Sequence, residues 1–536
     1  DGGFGHRLRE RGRMSLLKNV GTIGGFTAIS RVFGFVRDVL IARVLGATAM
    51  GDAWQLAFML PNIFRRLFAE GAFASAFVPL FNRRMKEDGD FAEAQTFAES
   101  VLSVLLPILV VFGAIAMIAM PWVVGFFAPE GLENDAESYA IAITMARIAF
   151  PYLIFMSLAT LVAAVLNSLS RFAAAAAAPI LLNVCLIAAL TYGLTLGEGV
   201  EARRETAIWQ SVALSVSGLL QLVWLSWSMK RAGFTIGLKW PRITSGVKEL
   251  GILVVPAVFG AGIYQISRFV DLFFLSTLPV GSYTYLNMAD RWNQLPLGII
   301  GIALGTAILP ALSRHIGREE ADEASRLQSN AIELAMLLTV PCAVALFFTG
   351  SAFVRVFMAG QNFTVEDALV TGTVVQGLVI GLPAYVLIKI LTPNFFARKD
   401  TRTPVYTAGA SLVVTIGLNI ALVPRIGVLG LAVAGSVGAW CNVALLYLIL
   451  RTKGFYRMSG FTASRVLRML LAAAIMGAGL WWLMGRIDPW FTGGVGDKAL
   501  GILAIMGVGV VLYGLAAMAL GVLNRATITR LMRRAG

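Results

Sequence analysis

Arg31, Arg37, Arg65, Arg66 and Arg291 stand inside stretches of chain that are otherwise apolar, and Arg43, Arg147, Arg268 and Lys389 have similar surroundings. All but one of these cations are arginine. A guanidinium is planar, permanently charged and shaped to grip two phosphate oxygens at once, where an ammonium acts as a point charge. The accompanying acids are fewer: Asp38, Asp52, Glu70, Asp271 and Asp290. Arg31, Gly34 and Asp38 are spaced to share one helical face, and Arg66 and Glu70 form an i,i+4 pair. Arg65 and Arg66 are adjacent like charges, an arrangement suited to a bound polyanion. The chemistry is therefore recognition of an anion, most naturally a phosphate, by Arg31, Arg37, Arg65, Arg66 and Arg291. Asp38, Asp52, Glu70, Asp290 and Arg268 are expected to supply ion pairs that form and break around it.

The elements that position these groups are membrane-spanning helices. The 536 residues are 58% hydrophobic and only 14% charged, against about 25% charged in soluble proteins, with a mean hydropathy of +0.78. Hydrophobic runs predict about fourteen spans, each needing roughly 20 apolar residues. They cover 18–46, 48–82, 94–127, 137–168, 172–196, 206–229, 247–278, 284–313, 326–349, 366–397, 403–424, 427–450, 463–484 and 498–522. Placing the N-terminus in the cytoplasm puts roughly 29 of the 44 Lys+Arg on the inner side and about six outside, as the positive-inside rule requires. Both termini are then cytoplasmic, and the net charge of +14 is a topology signal that calls for no nucleic acid. The outer acids Glu130, Glu133, Asp135 and Glu137 read as a solvated loop. Residues 1–13, polar and basic before Met14, read as a leader or expression remnant outside the fold.

Depth makes the arginines costly. At 1.5 Å per residue, Arg31 and Arg65 lie roughly 22 Å from the outer ends of their helices, and Arg37, Arg268 and Arg291 roughly 10–14 Å. A basic side chain facing lipid at a helix centre costs about 2.5–3.5 kcal/mol. Most of them must therefore face water or a counter-ion, and the shortage of acids leaves a cationic surplus for a ligand.

The chain also repeats itself. Ile29-Ser30-Arg31 returns as Ile266-Ser267-Arg268, Leu60-Pro61 as Leu295-Pro296, and Pro151-Tyr152 as Pro383-Ala384-Tyr385, at offsets of roughly 232 to 237 residues. The expected architecture is all-α and polytopic, with an N-lobe over 14–231, an interfacial cytoplasmic connector over 232–246, and a C-lobe over 247–451. A final unit, 452–536, carries two extra helices and a basic tail. In transporters built from repeats the substrate site lies between the halves, so a central cationic cavity is expected. Enzymes are disfavoured: His6 and His315 are the only histidines, Cys185, Cys342 and Cys441 lack ligand spacing, and no phosphate-binding GxxxxGK[ST] loop occurs.

Two stretches carry a family signature. Leu60-Pro61-Asn62-Ile63-Phe64-Arg65-Arg66-Leu67-Phe68-Ala69-Glu70-Gly71-Ala72-Phe73 and Ser30-Arg31-Val32-Phe33-Gly34-Phe35-Val36-Arg37-Asp38 closely resemble the MurJ (MviN) family. Ala289-Asp290-Arg291 and Ala397-Arg398-Lys399-Asp400-Thr401-Arg402-Thr403-Pro404 match as well. The resemblance, extending over 14–534, implies a lipid II flippase of the multidrug/oligosaccharidyl-lipid/polysaccharide exporter superfamily. Such proteins carry undecaprenyl-pyrophosphate-linked disaccharide-pentapeptide from the inner to the outer leaflet of the bacterial inner membrane by alternating access. It implies that Arg31, Arg37, Arg65 and Arg291 are the essential cavity arginines and that Asp38, Asp52, Arg66 and Glu70 are sensitive charges. It also implies a lipid-tail groove at the last two helices, and partners among membrane lipids and the cell-division and peptidoglycan-synthesis machinery. Some members bind sodium in the second lobe, for which Asp271 and Asn419 are the nearest candidates; no other cofactor is expected. The eleventh span carries no acid, and Gln294 stands where some relatives have glutamate. A flippase for another polyprenyl-linked glycan satisfies the same cavity charge.

Overall fold

The computed structural model describes residues 2–68, 72–85 and 91–523, and among them the regular elements are helices. Two compact units divide the chain at Thr284/Tyr285. The first holds α1 (Gly2–Val44), α2 (Ala49–Phe68), α3 (Ala72–Asn82), α4 (Ala92–Phe127), α5 (Ala136–Ala149), α6 (Tyr152–Ser168), α7 (Phe172–Thr195), α8 (Val200–Arg231) and α9 (Ser245–Ser276). The helix α10 (Ser282–Pro296) begins in the first unit and runs into the second. There it is followed by α11 (Ile302–Gly317), α12 (Ala321–Met358), α13 (Val365–Val379), α14 (Leu382–Ala397), α15 (Arg402–Ile426), α16 (Val428–Thr452), α17 (Gly460–Ile487) and α18 (Val495–Ala519).

Every predicted span finds its helix or helix pair. Ten of them are long and apolar enough to cross a membrane by length and composition among the described residues. Among those left out are α1 and α2, whose apolar character is broken by Arg31, Arg37 and Asp38 and by Asp52, Arg65 and Arg66, and α10, which at 15 residues is too short to cross alone. Three differences from the sequence reading have physical causes. Residues 2–13 continue the backbone of α1. The unit boundary falls at 284 instead of 231, because α9 packs on α2, α3 and α4. The eighth predicted span is not one helix: α10 ends at Pro296 and a π-helical turn, Leu297–Gly301, leads into α11. Proline removes a backbone donor, and the wider turn absorbs the mismatch.

The repeat is visible as geometry within each unit. α5 gives way to α6 at Phe150-Pro151, and α13 to α14 at Ile380-Gly381, with Pro383 in the first turn of α14. Aromatic stacking fills the first unit's core, where Phe77 lies 5.5 Å from Phe73, 5.5 Å from Phe81 and 5.4 Å from Phe97. In the second unit Leu312, Ile332, Ile390, Phe395, Leu446 and Ala472 are buried together. α15 and α16 approach closely because Gly438 has no side chain: a Cβ there would lie 2.0 Å from Thr415 Oγ1. Small residues at such crossings are how helices associate where lipid removes the hydrophobic drive.

Candidate functional site

Arg31 is exposed on α1, whereas Arg37, two turns further on, is only 6% exposed. The Arg37 guanidinium donates from Nε and Nη2 to Asp38 Oδ1 at 3.0 and 2.7 Å and from Nη1 to Asn183 Oδ1 at 3.0 Å. Asn183 sits on α7, along which α1 packs, and returns its amide to the Ser30 carbonyl at 3.0 Å. Phe58 lies below, 5.6 Å from the guanidinium carbon. Arg37 thus spends its charge on an internal pair and on joining α1 to α7, which separates it from the accessible arginines.

On α2, Arg65 is half-buried with Nε 3.3 Å from Asn62 Oδ1, and Arg66 is exposed. Glu70, its expected partner, lies outside the described residues. α9 brings Arg268 beside the same helix: the Phe64 ring packs edge-on against Phe269 at 5.9 Å, and against Phe112 and Phe150 at 5.3 and 6.1 Å. Arg65 and Arg268 are the chain neighbours of the paired rings. Arg268 Nη1 stands 3.9 Å from Asp271 Oδ2, and the Arg268 side chain is about half exposed.

Asp52 does something other than form the expected ion pair. It is wholly buried near the start of α2 and accepts from Gly281 N at 2.7 Å, Thr284 N at 2.9 Å and Thr284 Oγ1 at 2.7 Å. These donors are the first turn of α10, so the carboxylate caps that helix. A negative group at a helix N-terminus satisfies orphan N–H groups and faces the positive end of the dipole. Asp52 thereby fixes the start of the helix that carries Arg291 seven residues further along. Within the second unit Arg291 is half-buried, and Asp290 accepts from the Gln294 amide one turn away. Gln294 is thus engaged with Asp290.

Sequence reasoning missed Asn183, Thr284 and the Phe64–Phe269 contact. The outer acids Glu130, Glu133, Asp135 and Glu137 are exposed as expected, and two of them have a partner that sequence reasoning did not assign. Arg204, 8% exposed on α8, draws in Asp135 at 2.9 Å, Glu137 at 2.7 Å and Glu201 at 2.6 Å. Asp135 additionally caps α5, and the Ser138 hydroxyl and backbone N–H, followed by Arg204, hold its carboxyl below the usual range.

The second unit contains an apolar cavity of about 800 Å³. Its walls come from α12 (Met336, Val340, Phe347), the α13–α14 break (Val379, Pro383, Leu387), α16 (Trp440, Val443, Tyr447) and α17 (Val466, Leu470). Of the last two helices, α17 lines this cavity and α18 does not. Glu333 and Arg465, 2.8 Å apart, tie α12 to α17, and Arg465 also donates to the Val522 carbonyl just past α18.

The expected sodium ligands do not make a convincing site. Asp271 is beside Arg268, and Asn419, wholly buried on α15 with neither amide atom hydrogen-bonded, offers one oxygen. Neither α15 nor α16 contains a carboxylate, and hard cations are held by several oxygens, usually including one. Among the described residues no three His, Cys, Asp or Glu cluster to hold a metal.

Broken helix pairs, buried charge inside apolar spans and an all-helical two-unit chain define a multi-pass membrane protein of the transporter type. Its fold is similar to a solved structure, "Lipid II flippase MurJ, inward closed conformation" (TM-score 0.75, 23% identity, covering 92% of this chain and 97% of that one). It is also similar to an inward-facing multidrug resistance MATE family transporter of the MOP superfamily (TM-score 0.65, 13% identity, covering 79% and 94%). The family model "Lipid II flippase MurJ" matches residues 41–496, and the chain belongs to that family. A relative from Rhizobium meliloti, "Probable lipid II flippase MurJ", is 38% identical, covering 97% of each chain. The "Lipid II flippase MurJ" of Burkholderia cenocepacia is 34% identical, covering 93% of this chain and 96% of its own.

Proposed function

We propose that this protein flips lipid II across the bacterial inner membrane, with both termini in the cytoplasm, by alternating access. The supporting observation is the set of accessible guanidinium groups on α1, α2 and α9, carried inside otherwise apolar spans. Arg31, Arg65, Arg66 and Arg268 suit the pyrophosphate, which offers bidentate acceptors to each. Arg291, on a helix whose start Asp52 fixes, is a further guanidinium suited to the same kind of group. The polyprenyl chain stays in an apolar environment, for which the α12–α14–α16–α17 cavity is suited by its lining. Moving charged groups through the bilayer couples the cycle to membrane potential, worth about 2.3 kcal/mol per elementary charge per 100 mV.

The test is leaflet-resolved accessibility of lipid II in cells depleted of their own flippase. Wild-type protein should expose lipid II on the outer face, and Arg31→Ala or Arg291→Ala should abolish this and fail to support growth. Full activity of either variant at normal expression would overturn the reading.

A further inference from the structure

Between α8 and α9 the chain crosses residues 234–244 without regular secondary structure. It is held at three points. Phe234 is buried against Phe81 and Phe91, with ring centroids 5.6 and 6.1 Å apart. Glu99 of α4, 5% exposed, takes the Gly237 N–H at 3.0 Å and Lys239 Nζ at 2.6 Å. Thr244 caps α9 by accepting from Val247 N at 3.3 Å. Lys239 clamped onto Glu99 fastens the segment at its middle, and around it Leu238 and Trp240 are 68% and 87% exposed and Ile243 is 74% exposed.

Large apolar side chains displayed on a fastened segment have no partner within the described chain. Their surroundings point to one outside it. α8 reaches the connector through Trp224 and Trp227, with the Arg231 guanidinium 3.8 Å from the Trp227 ring centre, and aromatic and basic residues together mark the headgroup level at the end of a span. The exposed charges flanking the patch, Lys230, Arg231, Arg242 and Lys248, are all cationic. The cytoplasmic leaflet, the side on which the charge bias puts this connector, is anionic.

We infer that residues 234–244 are a membrane-surface hook. Leu238, Trp240 and Ile243 enter the boundary between headgroups and acyl chains, while Arg242, Lys230 and Arg231 gather anionic phospholipid headgroups. The inference stands apart from the flippase reading and needs only the position of the connector at the end of α8.

The test uses full-length protein in nanodiscs of phosphatidylcholine with and without phosphatidylglycerol. The emission lost on Trp240→Phe isolates the Trp240 signal. With anionic lipid that signal should be blue-shifted, quenched by lipids brominated near the headgroup and protected from aqueous acrylamide. Glu99→Gln, which releases Lys239, should weaken this protection while the other tryptophans are unchanged. Arg242→Gln should lower the retention of anionic lipid at the connector roughly fivefold, the worth of one surface cation. A Trp240 signal that stays water-like in both nanodiscs would overturn the hook and leave the patch to a protein partner. Equal protection with and without phosphatidylglycerol would overturn the anionic headgroup.

Discussion

Arg37 and Arg31 have the same side chain on the same helix and different tasks. Arg37 is locked to Asp38 and Asn183, so Arg37→Ala should lower thermal stability and transport together, leaving Asp38 as a buried charge stripped of its partner. Arg31→Ala should leave the melting temperature within a degree or two of wild type and remove transport alone; detergent melting curves alongside the lipid II assay separate the two. At Asp52, alanine would orphan three donors at the start of α10, and the cost should be about 1–3 kcal/mol, read as a lowered melting temperature. The charged residues were legible in the sequence because an ionised group inside a span is expensive and hence conspicuous. Their partners were not. Asn183 lies 146 positions from Arg37 and Thr284 lies 232 from Asp52, and no spacing rule links neutral residues over such distances.

Helices fare differently, because their signals are local. The 137–168 and 366–397 spans are each broken beside a proline, Pro151 and Pro383, since proline cannot donate to the preceding turn. Pro61, Pro79 and Pro107 instead lie within continuous helices. The 397–404 motif also becomes intelligible as a turn. Lys399 adopts a left-handed conformation, Arg398 packs over Phe455 at 4.3 Å, and Asp400 accepts from Thr403 N at 3.0 Å and from its hydroxyl at 2.7 Å. Those bonds, with Lys453 at 3.1 Å, pull the Asp400 carboxyl down to about 2. A depressed pKa means that this stabilisation is fully present above the unfolded carboxylate value near 4 and fades as pH falls toward about 2. Wild type should therefore lose stability relative to Asp400→Asn across that window, with their difference constant from pH 5 to 8. At the α15–α16 crossing, Gly438→Val has no space beside Thr415 and should force the helices apart, costing about 1–3 kcal/mol. Limited proteolysis of the 426–428 turn would report it. What local pattern could not reveal was which unit claims α9, because that depends on its packing against helices far away in the chain.

For the molecule as a whole, the apolar cavity is a product of assembly: α12, α13, α14, α16 and α17 each contribute one or more ordinary apolar residues. Replacing Ala343 and Ala444 together with tryptophan should shrink it and slow lipid II translocation severalfold, with little effect on a short-chain analogue. Fold class and membrane character were plain from composition, whereas a cavity lined by leucine and valine leaves no mark on hydropathy. The uneven polarity of the spans has a further consequence, for synthesis. Charges on α1 and α2 add about 2.5–3.5 kcal/mol apiece, near a helix centre, to insertion from the translocon. Taken singly, these segments should enter the bilayer poorly in a glycosylation-mapping assay and should improve when α7 or α9 is supplied downstream. Newly made chains would then hold their most polar helices in reserve until later ones arrive, and the ligand-gripping arginines would set the tempo of the protein's own biogenesis.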